Sequence, residues 1–325
     1  MQGKPHVHRH LLTQSFRTTS RRGRRLIEAC ALLAALLVLP TDAAAGDLAV
    51  VNGKVVTSKD VDQAFQRTRF ANEKRTEEQV KLFRRRLLQL IIDDTLVNQY
   101  LDQRDIQVDS KDVDKHVATF RKRIEAQGGT LEEFLEEMNI DEDKMRQDIT
   151  NIHRWLKYVR SQANDSVLRT YFEANADAFN GTLIGVQHIL VKVDADADPQ
   201  EWDKARQRIS SIRAQLASGV TFDELARVHS DCPSREKGGD LGKIRRKGDM
   251  AEPFAAAAFD LKVGQISGLV KTDFGYHLIK VTDREPGKSV SFETVVESVT
   301  SQYAEDLRDT VIARMRSNSE VKMLR

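Results

Sequence analysis

Apolar residues change their spacing several times along the chain, and each change marks an element. Two short runs rich in β-branched residues, Leu48 to Val51 and Val55 to Thr57, flank Asn52 and Gly53. That dipeptide takes positive φ at low cost, so a β-hairpin is expected over residues 48–57. Ser58 then reads as the N-cap of a helix carrying Val61, Ala64 and Phe65 on one face. A longer helix is expected from Thr76 to about Gln103, where Val80, Phe83, Leu87, Leu90, Ile91, Leu96, Val97, Tyr100 and Leu101 keep to one stripe. Three more helical units follow, opened by Asp109, by Thr130 with Glu133 as a capping box, and by Asp141. Gly128 and Gly129 separate the unit after Asp109 from the one after Thr130. The stretch 164–179 reads as one further short helix.

Beyond Phe179 the texture changes. Gly185 to Val193 is rich in apolar and β-branched residues, Trp202 to Ser218 has helical spacing and stops at Gly219, and Tyr276 to Val281 reads as a closing strand. The polar stretch Asp283 to Lys288, with Pro286 and Gly287, reads as a linker. Helical spacing returns over 291–317, with Val295, Val296, Val299, Tyr303, Leu307, Val311, Ile312 and Met315 on one stripe. That stripe has no counterpart in the preceding β-rich region, so the helix is expected to pack back on the N-terminal helices. A chain of 325 residues is long for a single core. The organisation expected is a leader at 1–45, a helical module at 46–180, a β-containing domain at 181–284, a linker at 285–290 and a returning helix at 291–325.

The leader is read from Arg21, Arg22, Arg24 and Arg25, the apolar run Ala29 to Leu39, then Pro40 and the small residues Ala43, Ala44 and Ala45. A basic start, a short apolar run and an Ala-x-Ala-like end make an export signal. The run falls short of the ~20 residues a bilayer needs, so cleavage is preferred to a retained anchor. Sec and twin-arginine routes both stay open. Removing residues 1–45 takes away seven Lys/Arg and two Asp/Glu, leaving 44 against 47 and a formal charge of −3 instead of +2. With no basic block and only 6% aromatic residues, nucleic-acid binding is not expected. Cys30 falls in the leader, so Cys232 stands alone and no internal disulfide is expected.

Four motifs stand in the β-containing region. They are Gln187-His188-Ile189-Leu190-Val191, Ser230-Asp231-Cys232-Pro233-Ser234, Gly238-Gly239-Asp240-Leu241-Gly242 followed by Gly248-Asp249-Met250 and Pro253-Phe254, and Phe274-Gly275-Tyr276-His277-Leu278-Ile279-Lys280. In this order they resemble the parvulin family over the whole region. The surrounding helices, with Val51-Asn52-Gly53 and Tyr171-Phe172-Glu173, resemble the flanking segments of SurA/PrsA-like foldases. The resemblance implies an α+β fold: a helical SurA-like N-terminal module completed by the C-terminal helix, and one parvulin domain with a four-stranded antiparallel sheet and flanking helices. It implies a PpiC-type peptidyl-prolyl cis/trans isomerase (rotamase) and folding chaperone of the periplasm or cell envelope. Its partners would be unfolded or nascent exported polypeptides containing Xaa-Pro. His188 and His277 correspond to paired histidines at the sheet centre, Cys232 to a Cys/Asp position, and Thr272 to a polar position that supports the histidines. Leu241, Met250 and Phe254 correspond to the proline pocket, while Phe274 stands where phosphoprotein-directed members carry serine. No cofactor and no metal are implied.

The chemistry of these residues agrees with the resemblance. Rotating an imide costs about 18–20 kcal/mol because resonance is lost, yet no bond breaks. An apolar pocket that excludes water, with histidines tuning the polar side of the twisted bond, is enough to favour that state. Taken singly, each residue has an ordinary structural role: a strand histidine is usually a satisfied core residue, and a lone cysteine is usually inert. His188, His277 and Cys232 are zinc-ligand types, but no CxxC-like pair accompanies them. The loop Val193 to Pro199 is acidic and offers no arginine pair, so a phosphopeptide grip is not expected. Two functions compete: an active isomerase with a client-binding helical module, and a holdase whose parvulin domain only binds peptide. A dimer that exchanges the long helices is compatible with either.

Overall fold

The computed structural model describes residues 46–194 and 197–324. The expected leader lies outside the described residues. β1 (Asp47–Val51) and β2 (Lys54–Thr57) form the hairpin, with Asn52 at φ 49° and Gly53 at φ 84° in its turn. α1 (Ser58–Gln66) follows at once, and its N-cap is Thr57 rather than Ser58. Thr57 Oγ1 accepts the Asp60 N–H while the Asp60 carboxylate accepts the Thr57 N–H. From Ser58 the reciprocal partner would be Val61, which has no acceptor.

A short 3-10 turn at Arg69–Asn72 leads to α2 (Glu77–Asp102), capped by Thr76 with Gln79. Asp109, Thr130 and Asp141 cap α3 (Ser110–Glu125), α4 (Leu131–Glu137) and α5 (Glu142–Gln162), each cap contributing roughly 1 kcal/mol. The stretch expected as one helix is divided at Asn175 into α6 (Asp165–Ala174) and α7 (Ala176–Phe179). There the Asn175 side chain donates back to the Tyr171 carbonyl. β3 (Leu183–Lys192), α8 (Pro199–Ala217), α9 (Phe222–His229), β4 (Asp240–Arg245), α10 (Glu252–Phe259), β5 (Val270–Thr272) and β6 (Gly275–Glu285) follow. α8 starts ahead of Trp202 because Asp198 caps it and Pro199 opens its first turn. β6 runs on to Glu285, beyond the expected strand end at Val281, where Asp283 to Glu285 still pair with β3 and Lys243 of β4 bridges both Asp283 and Glu285. The described chain closes with α11 (Phe292–Asn318) and β7 (Val321–Met323), a strand the sequence pattern does not announce.

The chain divides into two compact units, one reaching to Asn164 and resuming at Thr300, the other Asp165–Val299. In the first, β1 lies between β2 and β7 in an antiparallel sheet. Val51, Ile92, Leu96, Trp155, Val311 and Met315 share its main core, so the stripe of α11 packs with that of α2. Arg316 adds hydrogen bonds to Asp93 at 2.7 Å and Gln89 at 3.0 Å. The C-terminal helix thus completes the N-terminal module. A smaller core of Val113, Val117, Leu131, Met145 and Ile149 joins α3, α4 and α5. Among the described residues no helix is long and apolar enough to cross a membrane.

The second unit holds an antiparallel sheet in the order β4-β3-β6-β5. Alternation along each strand decides which layer a side chain enters. Ile189, Val191 and Leu278 pack with Ile209, Ile212, Phe222 and Leu225 of α8 and α9. Ile184, Val186, Ile279 and Val281 pack on the other face with Phe254, Ala258 and Phe259 of α10. With both faces covered, β3 reads as a nearly unbroken apolar run.

Candidate active site

His188 pairs with Ile279 and His277 pairs with Leu190 across β3 and β6, so the histidines are diagonal neighbours. By alternation they share the face of Val186 and Ile279, toward α10. Their rings lie 5.5 Å apart and 24° from parallel, with the two Nδ1 atoms 3.3 Å apart. Phe254 from α10 meets both edge-on, its ring centre 5.8 Å from that of His188 and 5.4 Å from that of His277. Each histidine is 5% exposed. Burial pushes both imidazoles down to about 4, and for His277 the neighbouring His188 adds to the effect. Both rings are neutral at pH 7.

Thr272, at the end of β5, places Oγ1 2.8 Å from Nε2 of His277 and accepts the Phe274 N–H at 3.1 Å. The two-residue turn that fixes it closes on Gly275 at φ 131°, where a Cβ would lie 2.1 Å from the Val191 carbonyl oxygen. Only glycine fits there. A line of contacts therefore runs from Thr272 through His277 to His188. It ends on His188 Nε2, which is buried and has no hydrogen-bond partner among the described residues.

β4 pairs with β3 only as far as Gln187, so the outer half of that edge must satisfy its backbone elsewhere. The Gly239 carbonyl accepts the His188 N–H at 2.9 Å, and Ser230 Oγ accepts the Leu190 N–H at 3.1 Å. Asp231 donates its N–H to the Leu190 carbonyl at 2.8 Å and accepts the Lys192 N–H at 2.9 Å. Arg208 of α8 holds the same carboxylate at 2.9 and 3.1 Å. Ser230 Oγ also accepts the Cys232 N–H at 3.3 Å, which fixes Cys232 beside this edge as a half-buried free thiol.

A Rotamase model, described as PPIC-type PPIASE domain, matches residues 188–283, and a SurA-like N-terminal domain model matches residues 31–155. Peptidyl-prolyl cis-trans isomerase pin1 of Schizosaccharomyces pombe is 35% identical over 134 residues, covering 38% of this chain and 73% of that protein. The chain belongs to the PPIC-type parvulin family. Over a longer stretch it is similar to Chaperone SurA of Methylobacillus flagellatus, 26% identical over 253 residues, which are 74% of this chain and 57% of that protein. It is also similar to Foldase protein PrsA 2 of Bacillus cereus, 27% identical over 238 residues, or 73% of each chain. The chain spans about three fifths of the length of the first SurA relatives it matches. A SurA-like N-terminal module with one PPIC-type domain is the α+β architecture expected from the sequence.

Within the parvulin domain the fold brings His188, His277, Thr272 and Phe254 together. Leu241 and Met250 are half-buried against the cluster that contains Phe254. Cys232 sits on the segment that closes the edge of β3, and Phe274 enters the hydrogen-bonded line through its backbone alone, its side chain being 54% exposed. Sequence reasoning gave no role to Ser230, Asp231 or Gly239, although all three lie inside the quoted motifs. Their positioning role depends on which strand edge they meet, and only the fold reveals that. Among the described residues no group of three or more His, Cys, Asp or Glu is placed to hold a metal ion.

Proposed function

We propose that this protein is a peptidyl-prolyl cis/trans isomerase and folding chaperone, delivered to the cell envelope by its leader and acting on Xaa-Pro bonds of unfolded exported polypeptides. The observation that carries the reading is the buried line Thr272, His277, His188 ending on an unpartnered nitrogen. Counting protons sets its direction. The Phe274 N–H occupies one lone pair of Thr272 Oγ1, and since His277 Nε2 is the only acceptor within reach of the hydroxyl among the described residues, the hydroxyl proton goes there. His277 keeps its proton on Nδ1 and donates it to His188 Nδ1. His188 is left with its proton on Nε2, a donor with no partner among the described residues. Neutral rings are what this arrangement requires, and burial supplies them.

Phe254, Leu241 and Met250 would take the pyrrolidine ring and exclude water. Twisting the imide gathers the lone pair on nitrogen and makes the carbonyl more ketone-like. A fixed donor in a dry site interacts more strongly with that state than with the planar one. Each ~1.4 kcal/mol gained in this way speeds exchange about tenfold. No proton has to leave the ring, and Cys232 serves as a polar wall of the site because isomerisation needs no nucleophile.

The test is cis/trans exchange of short Xaa-Pro peptides followed by NMR, with the full chain and with a folded His188→Ala/His277→Ala variant. Enhanced exchange by the parent, lost in the variant, is the expected result. No enhancement with any peptide by a folded parent would sink the enzyme reading. What would remain is the holdase, favoured by the exposed Phe274 ring on the turn that carries Thr272. Suppression of client aggregation without isomerisation would support that second reading.

A further inference from the structure

We infer that the first unit carries a docking groove for acidic polypeptide segments bearing large apolar side chains. The inference rests on the client-binding role proposed above but not on isomerase activity. The groove, about 520 Å³, opens between β1, α1 and the first turns of α2, over a floor of Leu48, Val61, Val80 and Leu88. Among the described residues its rim carries Arg75, Lys81, Arg84 and Arg85 with one carboxylate in the lining, Glu77, while Asp62 and Glu73 just outside it offset Arg84 and Arg75. From Arg67 to Arg86 the sequence has eight Lys/Arg and three Glu, in a chain whose formal charge is only +2. These cations do not read as a basic block because glutamates and apolar residues interrupt them. Helical spacing gathers them, since positions 81, 84, 85 and 88 fall on one face of α2.

Two of the cations are held in place before any partner arrives. Arg84 pairs with Asp62 and lies 5.7 Å from the centre of the Phe65 ring, and Arg75 pairs with Glu73 and lies 4.8 Å from the centre of the Phe70 ring. Lys81 is exposed at the rim, and its neighbour Leu82, 55% exposed, extends the apolar surface outward. The floor removes apolar side chains from water and so supplies affinity. The rim selects carboxylates, which guanidinium groups pair in a fork geometry, and steers their approach. A concavity of this size takes inserted side chains, which favours a polypeptide over the flat headgroup layer of a membrane.

Fluorescence anisotropy with the full chain tests this, using three labelled peptides without proline: Glu alternating with Phe and Leu, the same with Lys in place of Glu, and Glu alternating with Ser. Only the first is expected to bind. Its affinity should fall about tenfold on raising NaCl from about 50 to about 500 mM. Lys81→Glu should weaken it about tenfold, Lys81→Arg should restore it, and Arg84→Gln should give a smaller loss. His188→Ala/His277→Ala should leave it unchanged, so a silent isomerase site and an empty groove give different results. Equal binding of the Lys or the Glu/Ser peptide overturns the inference, as does unchanged affinity in folded Lys81→Glu. Capture of phosphatidylglycerol vesicles, lost in Lys81→Glu and without peptide binding, would assign the groove to a membrane and overturn it as well.

Discussion

Gly239 presses its backbone so closely against His188 that an added Cβ would lie 2.3 Å from the His188 carbonyl oxygen. Gly239 also has φ 85°, and its carbonyl accepts the His188 N–H at 2.9 Å. Gly239→Ala therefore combines a left-handed backbone with a collision against the strand that carries the histidine. The variant is expected to lose about 3 kcal/mol from the second unit and to shift the imidazole NMR signals of both His188 and His277. Parental urea stability with unshifted signals would contradict the account.

Thr272→Val keeps the shape of the side chain and removes the hydroxyl that meets His277. A buried ring nitrogen then loses its partner, at a cost of about 1–3 kcal/mol. Prolyl exchange is expected to slow about tenfold or more, and nitrogen-15 spectra should show a changed tautomer at His277. Thr272→Ser should retain both the rate and the tautomer. A merely structural threonine would leave the tautomer of the valine variant alone.

Protonation of the histidine pair should be visible in stability. Below about pH 6.5 an imidazole in the unfolded chain takes up a proton, whereas the folded rings hold out until about 4. The unfolded state thus binds more protons across that window, and stability falls as pH drops from about 6.5 to about 4 before levelling off. The full shift corresponds to about 3 kcal/mol per ring. Urea transitions followed by Trp202 fluorescence in a Trp155→Phe background should show this decline. The difference between that protein and the His188→Ala/His277→Ala version isolates the contribution of the pair.

Phe274→Ser is expected to leave the hydrogen-bonded line intact, since only the backbone N–H of residue 274 reaches Thr272. The ring is exposed, so stability should change by less than about 0.5 kcal/mol. Any effect on exchange should appear in KM for peptides with an apolar residue near proline, with kcat retained. A fall in kcat with KM unchanged would place the ring in the chemistry instead.

Local signals were the legible ones. Asn52-Gly53 announces its turn, and Asp109, Thr130 and Asp141 announce their helices, because cap and turn chemistry is decided within a few residues. Thr57 displaced Ser58 as a cap only because Asp60 reciprocates. The histidines are 89 residues apart, and nothing in their spacing says that they touch. Their diagonal meeting depends on strand register and on the irregularity between Gly185 and Val186, so the family motif alone pointed to it. The closure of β3 by Ser230 and Asp231 was illegible for the same reason, as was β7, whose three residues carry no period of their own.

β7 also orders events in time. Asn52 in the first hairpin bonds Ser319 and Glu320, partners 267 and 268 positions further along the chain, and β1 is paired on its second side by Val321–Met323. All four strands of the parvulin sheet lie between these partners in sequence. A chain emerging from a ribosome or an export channel therefore has every piece of the parvulin unit in hand while β1 still presents an unpaired edge, the kind that recruits other strands. Closing so long a loop comes last. Until then the newborn chain has the same need as its proposed clients: an exposed strand waiting for a segment that has not yet arrived.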